Sequence, residues 1–254
     1  MSASMPTAES LMIESIASPP DSSEGVSTDD APSKLATLLI GSFVFDAKRL
    51  IDDAIAETDS VRRIFVELFE PTARRLGEFF DADTCTEFDV AIGLCVLHTE
   101  MRRVCAIFDR RKPEPPGLGL VMIAPQPGEP HMLCSAMNFE ILDRAGWNTR
   151  CEFPSTDRAL QNLLANDWFD AIDLALSPSF KRDHWMPRIA ETISGLRQAS
   201  RNPSLLVVTS GRLFAERGEA RFAVGADECI ASSANADRVL ARGLRRFRRL
   251  RSAA

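Results

Sequence analysis

The first half of the chain carries apolar residues at helical spacing. One stripe repeats at steps of three and four and comprises Val61, Ile64, Phe65, Leu68, Phe69, Leu76 and Phe80. Pro71 interrupts this stripe and should kink or divide the helix. Thr84 followed by Glu87 predicts a capping box at the start of a new helix, whose apolar residues occupy two faces. Such a helix lies inside a bundle or against another domain, so we predict a four- or five-helix bundle over 35–110.

Beyond residue 117 the pattern changes to short apolar runs separated by helical segments. The predicted strands are 118–124, 148–153, 171–176, 205–209 and 228–231, and the predicted helices are 131–145, 157–166, 184–199 and 235–249. Strands that alternate with helices of this length form a parallel sheet with helices on both faces. The predicted fold class is therefore α/β, with an N-terminal helical bundle followed by a flavodoxin-like (Rossmann-like) five-stranded parallel sheet.

Two segments of different composition separate these parts, one before the bundle and one between the bundle and the α/β domain. Residues 1–34 are rich in Ser, Pro, Ala, Asp and Glu, which predicts a disordered tail. The proline-rich run 111–117 predicts a linker. The α/β domain then occupies 118–254 and ends in a basic helix.

Composition narrows the classes of function. The 254 residues carry 30 basic and 36 acidic side chains, a net charge of −6, which argues against a protein that coats nucleic acid through its overall charge. No apolar run is long enough for a membrane span and no secretory signal is recognisable, so we expect a cytoplasmic protein without membrane contact and with free thiols. Neither a GxSxG elbow nor a phosphate-binding loop occurs, and we do not expect an enzyme.

The candidate chemistry lies in three loops that follow predicted strands. In an open parallel sheet, ligands bind at the carboxyl ends of the strands, where the strand order reverses. The loops 125–131, 177–180 and 210–212 are expected to meet there. The first contains His131 two residues after Glu129, and a carboxylate that accepts from one ring nitrogen strengthens the other as a metal ligand. Alternatively, His131 is an ordinary first-turn residue and Glu129 favours the helix N-terminus.

The run Glu129-Pro130-His131-Met132-Leu133-Cys134 resembles the Asp/Glu-x-His-x-x-Gly signature of cobalamin-binding domains. In that family Ser-x-Leu follows the third strand and Gly-Gly follows the fourth. The segment 69–80 resembles the helical cap of bacterial regulators that carry this domain. The similarity covers about residues 60–240, and the subgroup it resembles is the AerR/PpaA type of photosynthesis antirepressors.

The resemblance implies a set of cofactor-binding residues. His131 would be the lower axial ligand of cobalt, and Glu129 its hydrogen-bonded partner. Ser177 would contact the dimethylbenzimidazole tail of cobalamin, and Gly211 would let that tail pass close to the sheet. The other implied cofactor-binding residues are Gly128, Cys134, Ser179 and Ser210.

The sequence departs from the family signature at three of these positions. Cys134 stands where the family has glycine, Ser179 replaces the leucine, and Ser210 replaces the first glycine. A domain of this architecture that binds haem, or no cofactor, is therefore an alternative. Two further histidines have structural interpretations, His98 as a core or boundary residue and His184 beside a helix N-terminus.

The resemblance implies a cytoplasmic sensor and transcriptional regulator of the antirepressor kind. Such a protein binds cobalamin or a related tetrapyrrole and responds to light or redox state by binding a transcription repressor. The alternatives are a haem-binding or cofactor-free interaction module, and a corrinoid carrier of a methyltransferase system. The C-terminal arginines either contact DNA phosphates or an acidic partner, or form the solvated face of a helix; they are Arg242, Arg245, Arg246, Arg248 and Arg249.

Overall fold

The N-terminal part of the described chain is helical. The computed structural model describes residues 31–108, 118–178, 185–216 and 220–252, and the side chains of the last helix as far as Phe247. The helices of this part are α1 (Ala31–Ile40), α2 (Val44–Ala56), α3 (Val61–Ile64), α4 (Glu70–Asp81) and α5 (Glu87–Ile107). The first helix begins before residue 35, where the predicted bundle starts. The rest of the predicted tail, 1–30, and the predicted linker lie outside the described residues.

Pro71 modifies its helix without dividing it. Helix α3 continues into α4 through one π-helical turn, Phe65–Phe69, and Pro71 is the second residue of α4. Proline lacks an N–H group and its ring clashes with the carbonyl one turn earlier, so the wider π-turn accommodates it. The rings of Phe65 and Phe69 stack with centroids 5.7 Å apart, and both are fully buried.

Helix α5 begins two residues later than predicted. The Thr86 hydroxyl accepts the backbone N–H of Asp89, and the Asp89 carboxylate accepts the backbone N–H of Thr86. Thr84 instead donates its hydroxyl to the Phe79 carbonyl. The predicted capping pair of Thr84 and Glu87 is therefore wrong, because a threonine followed three residues later by a carboxylate occurs twice here and only the second pair caps the helix.

The five strands form one parallel sheet. They are β1 (Leu120–Pro125), β2 (Asn148–Cys151), β3 (Ala171–Ala175), β4 (Leu206–Ser210) and β5 (Glu228–Ile230). Their order is β2-β1-β3-β4-β5 and each neighbouring pair is parallel. This is the predicted flavodoxin-like order, and it places the reversal between β1 and β3.

Helices cover both faces of the sheet. They are α6 (Leu133–Arg144), α7 (Asp157–Asn166), α8 (Trp185–Ala199), α9 (Arg212–Glu216), α10 (Ala220–Ala223) and α11 (Ala236–Ser252). One face packs against α7 and α8, and the other against α6 and α11. The short helices α9 and α10 were not predicted, because segments of five and four residues contain too little of a helical period to recognise. Within the described chain, no helix has the length and apolarity that crossing a membrane requires.

Helix α6 joins the bundle to the sheet. Leu133, Met137 and Ile141 belong to the apolar core of the bundle, whereas Leu142 packs with the sheet and α11. The bundle therefore lies against the helix that follows β1, and α4 reaches the carboxyl edge of the sheet.

Candidate functional site

A cavity of about 580 Å³ opens at the carboxyl edge of the sheet. Helices α4 and α5 form one wall, α6 forms another, and the loops after β3, β4 and β5 complete it. The predicted residues that line it are His131, Cys134, Ser177 and Gly211. The volume falls in the range of about 300–1,000 Å³ that is typical of ligand pockets.

Glu129 ties the loop after β1 to the loop after β3. Its buried carboxylate accepts the backbone N–H of Ser177 at 2.7 Å and the Ser177 hydroxyl at 2.6 Å. It also accepts the backbone N–H of His131 at 2.9 Å. Three donors satisfy this carboxylate, as a buried charge requires. Glu129 therefore fixes the backbone at His131, and its predicted bond to the imidazole ring stays a prediction.

His131 lies half-buried in the wall of the cavity, just before α6. The residue before Glu129, Gly128, is exposed and has φ +91°, a left-handed conformation that favours glycine. Gly128 thus allows the turn that brings Glu129 back under the loop. Predicted Ser179 and His184 lie outside the described residues.

Gly211 is required by the path of the chain itself. It has φ +99°, and a Cβ atom there would lie 1.9 Å from the carbonyl oxygen of Leu176. The loops after β3 and β4 therefore pass too close together for any side chain. The family resemblance attributed this glycine to a passing cofactor tail, whereas the contact in the structure is with the neighbouring loop.

Behind the cavity lies a polar cluster that joins two predicted residues, Cys134 and Ser210, to Asn138 and Asp173, which sequence reasoning missed. The Asn138 side-chain amide donates to Asp173 Oδ2 at 2.8 Å and to Cys134 Sγ at 3.9 Å, and the Cys134 thiol donates to Ser210 Oγ at 3.8 Å. Asp173, Asn138 and Ser210 are fully buried. A signal existed in the sequence, because Asp173 is a lone charge in the apolar run Ala171–Ala175.

Burial sets the protonation of this cluster. It raises the pKa of Asp173 to about 6, although the Ser210 and Asn138 side chains favour the ionised form. Burial, and to a lesser extent the nearby Asp173 charge, also raises the pKa of the Cys134 thiol. Cys134 is therefore held as a neutral thiol and is a poor nucleophile.

Helix α4 is bonded to the sheet on both sides of the cavity. Glu70 accepts the Ser232 hydroxyl and the Ser233 backbone N–H, both at 3.0 Å, in the loop after β5. At the other end of the helix, Asp81 accepts from Arg212 at 2.9 Å, in the loop after β4. These pairs are separated by more than 100 residues, so no local pattern indicated them.

The remaining candidates lie away from the cavity. His98 is half-buried in α5, where burial and then the charge of Arg102 lower its pKa. On α11, Arg242 pairs with Glu228 at 2.9 Å, and Arg245 and Arg246 are exposed. The side chains of predicted Arg248 and Arg249 are outside the described part of the chain. Contact of this helix with DNA or a protein stays a prediction.

No model of a known protein family matches this chain, and no curated protein sequence does. Solved structures do match. One is the monomethylamine corrinoid protein of Methanosarcina barkeri, with a TM-score of 0.66 and 14% identity over 84% of this chain and 97% of that chain. A cobalamin-binding protein from Desulfitobacterium hafniense has a TM-score of 0.43 and 14% identity, over 88% of this chain and 99% of that chain.

The methanol:cobalamin methyltransferase complex of Methanosarcina barkeri has a TM-score of 0.39 and 12% identity, over 83% of this chain and 78% of that chain. The similarity to the monomethylamine corrinoid protein carries the structural argument, because it includes both the helical and the sheet part. It confirms the predicted α/β fold: the chain has the Rossmann-like fold of that corrinoid protein, with a helical bundle before the five-stranded parallel sheet.

Proposed function

We propose that this protein binds a corrinoid, cobalamin or a close relative, at the cavity beside His131. The observation that carries the proposal is the Glu129 carboxylate, which joins the His131 backbone to Ser177 where the cavity opens. This bond network fixes the backbone of His131, a residue that lines a pocket formed by loops of the sheet and by the bundle.

The residues present fit such a cofactor. A corrinoid brings four nitrogen ligands to its cobalt, so one imidazole from the protein is sufficient to add a lower ligand. When bound, the cofactor would supply a cobalt centre that carries an alkyl group and responds to light or electrons. His131 would supply the ligand nitrogen, Glu129 would fix its backbone, and the bonds of Glu70 to the loop after β5 would hold α4 in the wall of the cavity.

The role that we propose for the loaded protein is a cytoplasmic sensor that regulates transcription by binding a repressor, and not an enzyme. The resemblance of residues 129–134 to the signature of cobalamin-binding domains, and of residues 69–80 to the helical cap of bacterial regulators that carry this domain, supports this role. In the structure both segments contribute residues to the lining of the same cavity, since α4 and the His131 loop both line it. A change at the cofactor would therefore reach the bundle directly.

A corrinoid carrier for methyl transfer is the second candidate. The similarity to the monomethylamine corrinoid protein, over 97% of that chain, favours it. The two roles differ in one measurable respect, because a carrier must give up a methyl group to an acceptor and a sensor need not.

The binding proposal is tested by adding hydroxocobalamin to purified protein, followed by gel filtration and an absorbance spectrum. We expect corrinoid to co-elute with the wild-type protein but not with His131→Ala. It should also co-elute with the control variant His98→Ala, because His98 does not line the cavity. Absence of retained corrinoid, or equal retention by His131→Ala, would contradict the proposal. The same spectra with haemin test the haem alternative, which requires retention of haem that depends on His131.

The role is tested on protein loaded with methylcobalamin. The sensor proposal predicts a change in elution volume after illumination or reduction, and no methyl transfer to a thiol acceptor. Transfer to the acceptor at a steady rate, with an unchanged elution volume, would favour the carrier.

A further inference from the structure

Helix α5 has a second apolar face that the described part of the chain leaves open to solvent. Its first apolar face belongs to the bundle core and includes Val90 and Leu97. On the second face Phe88, Ile92 and Cys95 are exposed, and Phe88 is 71% exposed. A helix that is apolar on two faces normally packs against other elements on both. The second face of α5 is therefore suited to contact with another polypeptide surface.

This open face continues onto the start of α2. Helix α2 lies beside the later turns of α5, where Asp52 pairs with Arg103 at 2.7 Å. Nearer the start of α5, the exposed face and Val44 line a groove of about 440 Å³. Phe45, directly after Val44 in α2, projects into solvent and is 91% exposed. The surface that we call the α2/α5 patch is formed by Val44, Phe45, Phe88, Ile92 and Cys95.

The patch carries a projecting ring and an open groove side by side, so it can fit a copy of itself. In a two-fold dimer the same patch is used by both copies, and every contact occurs twice. If Phe45 of one copy enters the groove of the other, the reverse contact forms as well and both rings leave water. We propose that two copies of this chain form a two-fold dimer through the α2/α5 patch, with Phe45 of each copy in the groove of the other.

The apolar area of the patch is sufficient for the centre of such an interface. A phenylalanine buries about 150–250 Å², so the exposed parts of Phe45 and Phe88 supply about 300 Å². Val44, Ile92 and Cys95 add to this area. A standard interface takes about 800 Å² from each partner. The patch supplies a large part of that area, and we expect a dimer that dissociates in the micromolar range.

The charges that border the patch also favour a second copy. Exposed Lys48 lies one turn after Val44 on α2, and exposed Glu87 directly precedes Phe88 on α5. In the proposed dimer the start of α2 in one copy lies over the start of α5 in the other, so these opposite charges approach each other. A border of one sign would instead repel its own copy.

The dimer does not depend on the proposed corrinoid site. Val90 and Leu94 of α5 line the cavity, whereas Phe88 and Ile92 line the groove, so the two openings lie on different faces of the helix. Contact through the patch leaves the cavity accessible. Failure of dimerisation and failure of corrinoid binding are therefore separate outcomes.

The experiment measures the mass of the purified full chain by sedimentation velocity, before corrinoid is added and with a reducing agent that prevents disulfides between copies. Between about 1 µM and about 200 µM, the wild-type mass should rise from that of one chain towards that of two. Phe45→Glu should keep the mass of one chain and a wild-type melting curve, because an acidic residue suits the first turn of α2. The control Phe222→Glu, at an exposed phenylalanine of α10, should dimerise like the wild type.

Alkylation of Cys95 shows which face is covered. Because Cys95 lines the groove, iodoacetamide should modify it several-fold more slowly at the higher wild-type concentration than at the lower one. In Phe45→Glu the two rates should be equal. A wild type that keeps the mass of one chain at every concentration would overturn the proposal. A dimer that persists in Phe45→Glu, or a wild-type alkylation rate that is independent of concentration, would overturn it as well.

Discussion

Replacing Asp173 by asparagine should stabilise this protein at neutral pH. The carboxyl group is fully buried in the middle of β3 and accepts from Asn138 at 2.8 Å. Burial raises its pKa from the ordinary value of 3.8 to about 6. The folded protein therefore binds this proton more tightly than the unfolded chain does.

The sign of the effect follows from this order of pKa values. At a pH below 3.8 the group is protonated in both states and costs nothing. As the pH rises from 3.8 towards 6, only the unfolded state ionises, so stability is lost, and above about 6 the loss is constant. At 1.36 kcal/mol per pKa unit, the full loss is about 3 kcal/mol. Asparagine keeps an oxygen for Asn138 but adds an amide that needs a partner, so we expect a gain of about 2 kcal/mol.

The assay is urea unfolding followed by far-ultraviolet circular dichroism, at about pH 4 and about pH 7.5. The free energy of unfolding of Asp173→Asn should exceed that of the wild type at the higher pH and approach it at the lower pH. The exposed control Asp53→Asn should show no such difference. A variant that is equally or less stable at pH 7.5, or a gain of the same size at both pH values, would refute the argument.

Three further predictions concern the site. Gly211→Ala should lower the melting temperature and reduce corrinoid binding, because its Cβ would lie 1.9 Å from the Leu176 oxygen; a normal melting curve would show that the loops can separate freely. Glu129→Ala should lower the free energy of unfolding by about 2 kcal/mol in urea titrations, since it leaves the N–H groups of His131 and Ser177 without their acceptor. A neutral result would mean that water replaces the carboxylate. Iodoacetamide should modify the exposed Cys95 well before the half-buried Cys134, because burial of its thiol raises the pKa of Cys134, as measured by peptide mass spectrometry; early labelling of Cys134 would contradict this raised pKa.

Much of the fold was predictable because the spacing of apolar residues along the chain indicates which face of each helix or strand is buried. Helix α7 has the predicted bounds, since Thr156 caps it and its apolar residues lie on one stripe. The strand order followed from the alternation of strands and helices, which admits few topologies. The start of α5 was predicted wrongly because Thr84 and Thr86 are each followed three residues later by a carboxylate, and only Thr86 caps the helix.

The site was only partly predictable. The loop containing Glu129 and His131 was recognisable because the residues that matter are adjacent in sequence. The Asn138 and Asp173 pair was not, because its partners are 35 residues apart and lie on different elements. The bonds from Glu70 and Asp81 to the loops of the sheet were also beyond sequence patterns, since their partners are more than 100 residues away in the chain.

Helix α6 has a mechanical consequence for any signal at the proposed corrinoid site. One side of it is part of the bundle core and the other part of the sheet core, and its first residue, Leu133, follows His131 by two positions. A force on the imidazole would therefore act at the N-terminal end of α6, a helix that packs in both the bundle core and the sheet core. If His131 binds cobalt as proposed, a displacement of this ligand would pass along α6 into the bundle core, and a displacement of the bundle would pass back to the ligand.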